Sequence, residues 1–82
     1  MRKILEDRLI NFAGEVNKMR KFMENTEGSM NLLNQLSRSS ASAALNYGEA
    51  LGAESRKDFT HKIGIVLKEL RESYNNLRII SQ

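Results

Sequence analysis

The chain has 82 residues, carries 13 Lys and Arg against 10 Asp and Glu, and contains neither cysteine nor proline. A chain of that size is one domain with a marginal core, burying about 60–65% of the surface its unfolded form exposes, and without a thiol it excludes disulfide staples, thiolate metal sites and thiol catalysis. The net charge of +3 permits a nucleic-acid partner without requiring one.

The first predicted element covers residues 3–24. Its apolar positions Leu5, Leu9, Phe12, Val16, Met19 and Met23 step by 4, 3, 4, 3, 4, the seam of a helix that buries one stripe. Glu6 and Asp7 arrive before any apolar signal-peptide core could form, and no apolar run approaches the ~20 residues of a membrane span, so the expected location is the cytoplasm and no membrane partner is expected. The segment runs into Asn25-Thr26-Glu27-Gly28-Ser29, a cluster of breakers and caps.

The second element covers residues 29–51, with Leu33, Leu36, Ser40, Ala43, Tyr47 and Ala50 in the same spacing. Ser39-Ser40-Ala41-Ser42-Ala43-Ala44 in its middle holds only small side chains, which lets neighbouring helices approach closely. Gly52 is expected to end the helix in the left-handed conformation. Ser55-Arg56-Lys57-Asp58 reads as a capping box that starts the third element.

The third element covers residues 56–80 and places Phe59, Ile63, Val66, Leu70, Ser73, Leu77 and Ile80 on one face. Short joints make neighbours antiparallel. The expected fold is all-α, an antiparallel up-down helical bundle forming a single domain over residues 1–82. The lack of proline and an aromatic content of 6% argue against a β-rich alternative.

Chemistry has little to rest on. His61 has no second histidine or cysteine to join it in holding a metal, and by helical phase it lies on the solvent face. Ser37, Ser39, Ser40 and Ser42 lack a base, and the five glycines form no phosphate loop. The expectation is no catalytic residues, no metal and no cofactor, and a protein that is not an enzyme.

One pattern on the third element stands out. Lys57, His61, Gly64, Lys68, Arg71, Asn75 and Arg78 form a stripe opposite the core face, with four bases and no acid. Tyr74 falls within it by phase, between Arg71 and Arg78, and bases interleaved with an aromatic suit phosphate contact plus base stacking. Charges on an exposed helix face are most often simply solvated, and Tyr74, with Ile65 and Ile79, also suits packing on a further helix or another subunit. Arg56 and Lys57 stand in the first turn of their helix, where the dipole disfavours cations by about 0.3–1 kcal/mol.

Several stretches carry a further signal. They are Gln35-Leu36-Ser37-Arg38-Ser39-Ser40-Ala41-Ser42, Asn46-Tyr47-Gly48-Glu49-Ala50, Glu54-Ser55-Arg56-Lys57-Asp58-Phe59-Thr60-His61-Lys62, and Leu67-Lys68-Glu69-Leu70-Arg71-Glu72-Ser73. In this order and spacing they resemble the four-helix-bundle proteins encoded in 23S rRNA intervening sequences, over roughly residues 5 to 80. The resemblance implies a small up-down bundle that associates into homo-oligomeric rings, often pentamers, with a largely unassigned function. A similar bundle, the accessory variability determinant of diversity-generating retroelements, binds RNA and a reverse transcriptase through a basic ring surface. That parallel implies Arg38, Arg56, Lys57 and Lys62 as nucleic-acid contacts, beside Lys68, Arg71 and Arg78 of the stripe. The family's name reflects where some of its genes sit and does not imply ribosome binding.

The chain departs from the family pattern in two places. Relatives usually have a proline in the joint after the first helix, where this chain has Met23-Glu24-Asn25-Thr26-Glu27, and they carry a fourth helix, whereas this chain stops at Ser81-Gln82. The expectation is a fourth helix that has been lost or is supplied by a partner. Leu67, Tyr74 and Ile79 would then be uncovered, favouring self-association or a protein partner. Two functions therefore compete: an oligomeric RNA-binding accessory protein, and an assembly or protein-interaction scaffold with no nucleic-acid role.

Overall fold

A computed structural model describes residues 2–23 and 27–82, with the side chains of 27–29 excepted. Among the described residues there are three helices and no strand: α1 (Arg2–Phe22), α2 (Glu27–Leu51) and α3 (Arg56–Ile80). The fold is all-α, as the heptad spacings require. The breaker cluster predicted around Asn25 falls partly on residues 24–26, which lie outside the described residues, and α2 begins within that cluster, at Glu27.

α2 is the central helix and packs against both α1 and α3. All six of its predicted stripe positions are buried, from Leu33 and Leu36 through Ser40 and Ala43 to Tyr47 and Ala50. Leu9 of α1 and Val66 of α3 meet over Ala43, Ala44 and Tyr47 to form the core cluster, flanked by Leu51, Ile63 and Leu70. At the far end Arg20 donates to the Asn34 side-chain oxygen at 3.1 Å, tying α1 to the start of α2. Near the other end the Glu6 carboxylate of α1 lies over Gly48 of α2, 3.2 Å from where a Cβ would stand. α1 and α3 thus run parallel to each other and antiparallel to α2, and the Arg2 guanidinium lies 5.5 Å from the centre of the Phe59 ring.

The small-residue middle of α2 contributes a polar contact to the core. Ser39 and Ser73 are buried, and their hydroxyls stand 2.7 Å apart across the α2–α3 interface. Ser39 also reaches the Leu36 carbonyl at 3.2 Å and Ser73 the Glu69 carbonyl at 3.0 Å. Ser40 is bonded to the Ser37 carbonyl at 3.1 Å. No buried side-chain nitrogen or oxygen among the described residues lacks a partner, as burial of polar groups demands.

The joint between α2 and α3 corrects one expectation. Gly52 does not adopt a left-handed conformation; no described glycine has positive φ. Instead α2 tightens at its end, with the Gly52 and Ala53 amides donating to the Glu49 and Ala50 carbonyls at 3.1 Å each. These three-residue bonds satisfy the last carbonyls without a left-handed residue. Ser55 caps α3 in an extended conformation, its hydroxyl accepting from the Asp58 amide at 3.0 Å.

Candidate nucleic-acid interface

The third helix positions the basic stripe through its opposite face. Phe59, Ile63, Val66, Leu70, Ser73, Leu77 and Ile80 are all buried or half-buried, which fixes the rotation of α3. Lys57, His61, Gly64, Lys68, Arg71, Asn75 and Arg78 are consequently all exposed. Lys68 and Arg71 lie about 140° and 160° round the helix from Ser73, whose hydroxyl touches α2. From Lys57 to Arg78 the row extends about 32 Å at 1.5 Å per residue. Among the described residues Lys57, Lys68 and Arg71 form no ion pair. The Arg78 guanidinium lies over the Tyr74 ring, 5.6 Å from its centre.

The other bases named from the sequence do not all join this row. Arg56 is exposed at the start of α3, about 100° round from Lys57. Lys62 is half-buried on the α2 side and pairs with Glu49 at 3.5 Å, so its charge is already partnered. Arg38 projects from the back of α2, about 160° round from Ser40, and faces a different surface. A second basic group, Lys18, Arg20 and Lys21, sits at the end of α1 and is partly occupied. Lys18 pairs with Glu15 at 3.6 Å, and Arg20 is held by Asn34 and Asn17.

The apolar residues divide as well. Leu67 (58% exposed) and Tyr74 (61% exposed) are seven residues apart and share one edge of α3, past its core stripe, so Tyr74 stands beside the basic row, about 40° from Arg78, and not within it as expected from phase. Ile79 is 54% exposed but sits about 140° round from Tyr74, on another face. α1 offers a matching edge in Leu5, Phe12 and Met19, with Leu5 exposed and the other two half-buried. The two edges flank the side of the molecule opposite α2. Leu45 and Ile10, whose exposure went unforeseen, lie off the heptad stripes of α2 and α1 and are level with each other on the back of that pair. The signal available for them was their absence from those stripes.

The described residues thus form an all-α protein of three helices, in which one helix turns an acid-free basic row to solvent and two helices leave apolar edges uncovered. No described helix is long and apolar enough to cross a membrane. The chain belongs to the 23S rRNA-intervening sequence protein family, whose pattern matches residues 5–82. No curated protein and no solved structure gives a significant match.

Proposed function

We propose that this chain is a non-enzymatic, cytoplasmic helical-bundle protein that assembles into a homo-oligomer and binds RNA along the outer face of α3. The observation that carries the reading is the row Lys57, Lys68, Arg71 and Arg78, exposed over about 32 Å and turned away from α2. A row of cations that long on one straight element matches a polyanion better than a small anion. Each phosphate neutralised releases counterions, which makes affinity fall with salt. Arg56 adds a cation beside the start of the row, about 100° round from Lys57. Arg38 and Lys62 contribute less, the first because it faces elsewhere and the second because Glu49 already holds it.

The test is a titration of fluorescent RNA at several salt concentrations. Engagement of the four cations gives a slope of log K against log salt of about −3 to −4. Lys68→Glu with Arg71→Glu abolishes binding and leaves helicity intact. Full affinity in that double variant would refute the assignment.

A second reading has its own support in Leu67, Tyr74 and Leu5, three large apolar side chains left exposed along the two uncovered edges. They favour an assembly scaffold that takes another subunit or another protein's helix. Light scattering over a range of concentrations reads the assembly directly, and the family resemblance sets a pentamer as the expected mass. A stable monomer indifferent to RNA would sink both readings.

A further inference from the structure

Resting on the RNA-binding reading above, we infer that the RNA held along α3 is single-stranded and that Tyr74 and Arg78 form a stacking platform for one of its unpaired bases. Tyr74 is 61% exposed, with the Arg78 guanidinium 5.6 Å from the ring centre. Arg71 lies one turn before the ring and Arg78 one turn after it, about 4.5 Å and 6 Å away along the helix axis. The acids nearest in sequence, Glu69 and Glu72, are about 140° and 160° round the helix from the ring. A shallow depression lined by Asn75, Arg78, Ile79 and Gln82 opens on the side of Arg78 away from the ring, where a neighbouring nucleotide would lie. Its two side-chain amides supply donors and acceptors that suit the edge of a base.

Duplex and single strand make different use of this arrangement. An A-form duplex keeps its bases stacked inside and offers phosphates and 2′-hydroxyls to a protein surface. Its phosphates would meet Lys68 and Arg71, but no base face would reach Tyr74. A single strand offers both: phosphates track the cation row while one unpaired base lies on the aromatic ring. An exposed tyrosine already bracketed by cations is redundant for the first ligand and useful for the second. Stacking tolerates any base, so the platform selects strandedness and not sequence.

The experiment titrates the full chain with a short fluorescent oligouridylate and with an RNA duplex of matched length. Wild type is compared with Tyr74→Leu, Tyr74→Phe and the Lys68→Glu, Arg71→Glu pair. The single strand binds more tightly in wild type. Tyr74→Leu weakens it on the order of tenfold or more and leaves the duplex unchanged, while Tyr74→Phe keeps wild-type affinity because its ring still stacks. The chain has no tryptophan, so Tyr74→Trp adds a sole indole, whose emission is quenched by the oligouridylate and not by the duplex. That variant also decides the matter if Tyr74→Leu alters the mass of the assembly: an indole that the single strand leaves unquenched overturns the platform. Equal loss for both ligands, or none in Tyr74→Leu, overturns it too. If the charge-reversal pair still abolishes binding in that case, the broader RNA reading stands. A wild-type protein that binds neither RNA overturns both.

Discussion

The hydroxyl pair Ser39–Ser73 makes a stability prediction whose size can be worked from its geometry. Three contacts converge on it: 2.7 Å between the hydroxyls, 3.2 Å from Ser39 to the Leu36 carbonyl and 3.0 Å from Ser73 to the Glu69 carbonyl. Two hydroxyls carry only two protons, so one of the three is always without a hydrogen of its own. Ser73→Ala therefore orphans nothing, because Ser39 keeps the Leu36 carbonyl as acceptor. The cost is one net hydrogen bond, about 0.5–1.5 kcal/mol, and Ser39→Ala costs the same by the same argument. By this count the wild type holds two proton-bearing bonds, each single variant one and the double variant none, so the two costs add to within a few tenths of a kcal/mol. Against a total stability of about 4–12 kcal/mol for a chain this long, these shifts are measurable by urea denaturation followed by far-UV circular dichroism. Protein concentration must be held fixed, since assembly adds stability by mass action, and an unchanged m-value keeps the comparison valid. A double-variant cost below the sum by about 0.5 kcal/mol or more would mean that the cross-helix bond outweighs the carbonyl bond that replaces it, and a single-variant loss well above about 2 kcal/mol would mean that a buried group had been orphaned.

Three further substitutions follow from burial and capping. Leu36 is 0% exposed, so Leu36→Ala costs about 2–5 kcal/mol, a large part of the total, and shifts the urea midpoint accordingly. Gly64 is exposed in the middle of α3, with open space where a Cβ would stand. Gly64→Ala therefore stabilises by about 0.5–1 kcal/mol, which thermal melting reads as a rise in Tm. Ser55→Ala removes the hydroxyl that accepts the Asp58 amide at 3.0 Å and costs about 1 kcal/mol, with amide exchange rising first in the opening turn of α3.

Much of the fold was legible because helical periodicity is a strong signal in a chain with few breakers. Every stripe position read on α2 and α3 is buried or half-buried. α1 was read less well at its start: Leu5 belongs to the seam but is 43% exposed, because α1 leans on α2 and its far edge faces the open side. Gly52 misled because glycine is permissive; the residue type allows a left-handed cap, but the backbone satisfied its carbonyls through tighter bonds. The Ser39–Ser73 contact was beyond the sequence, since a pairing across two helices depends on their register. The cation row was legible as a phase relation, whereas the separation of Arg38 and Lys62 from it depends on how α2 sits against α3. The grouping of Leu67, Tyr74 and Ile79 failed on phase alone, because five residues between Tyr74 and Ile79 turn the helix by about 140°.

The circumference of α3 gives a way to separate RNA binding from assembly. Arg71 follows Leu67 by four residues and Arg78 follows Tyr74 by four, so each arginine lies only about 40° from the uncovered apolar edge. Lys68 lies about 100° from Leu67, well clear of that edge. A subunit seated on Leu5 of α1 and Leu67 of α3, which leaves the Tyr74 ring open to RNA, therefore neighbours Arg71 but not Lys68. Lys68→Glu alone should lower RNA affinity and its salt slope while the mass by light scattering stays at the wild-type value. Arg71→Glu should lower RNA affinity by a similar factor and, in addition, shift the assembly equilibrium. Dissociation of the oligomer by Lys68→Glu, with Arg71→Glu silent, would show that the subunits meet through the outer row and that the apolar edges are not the contact.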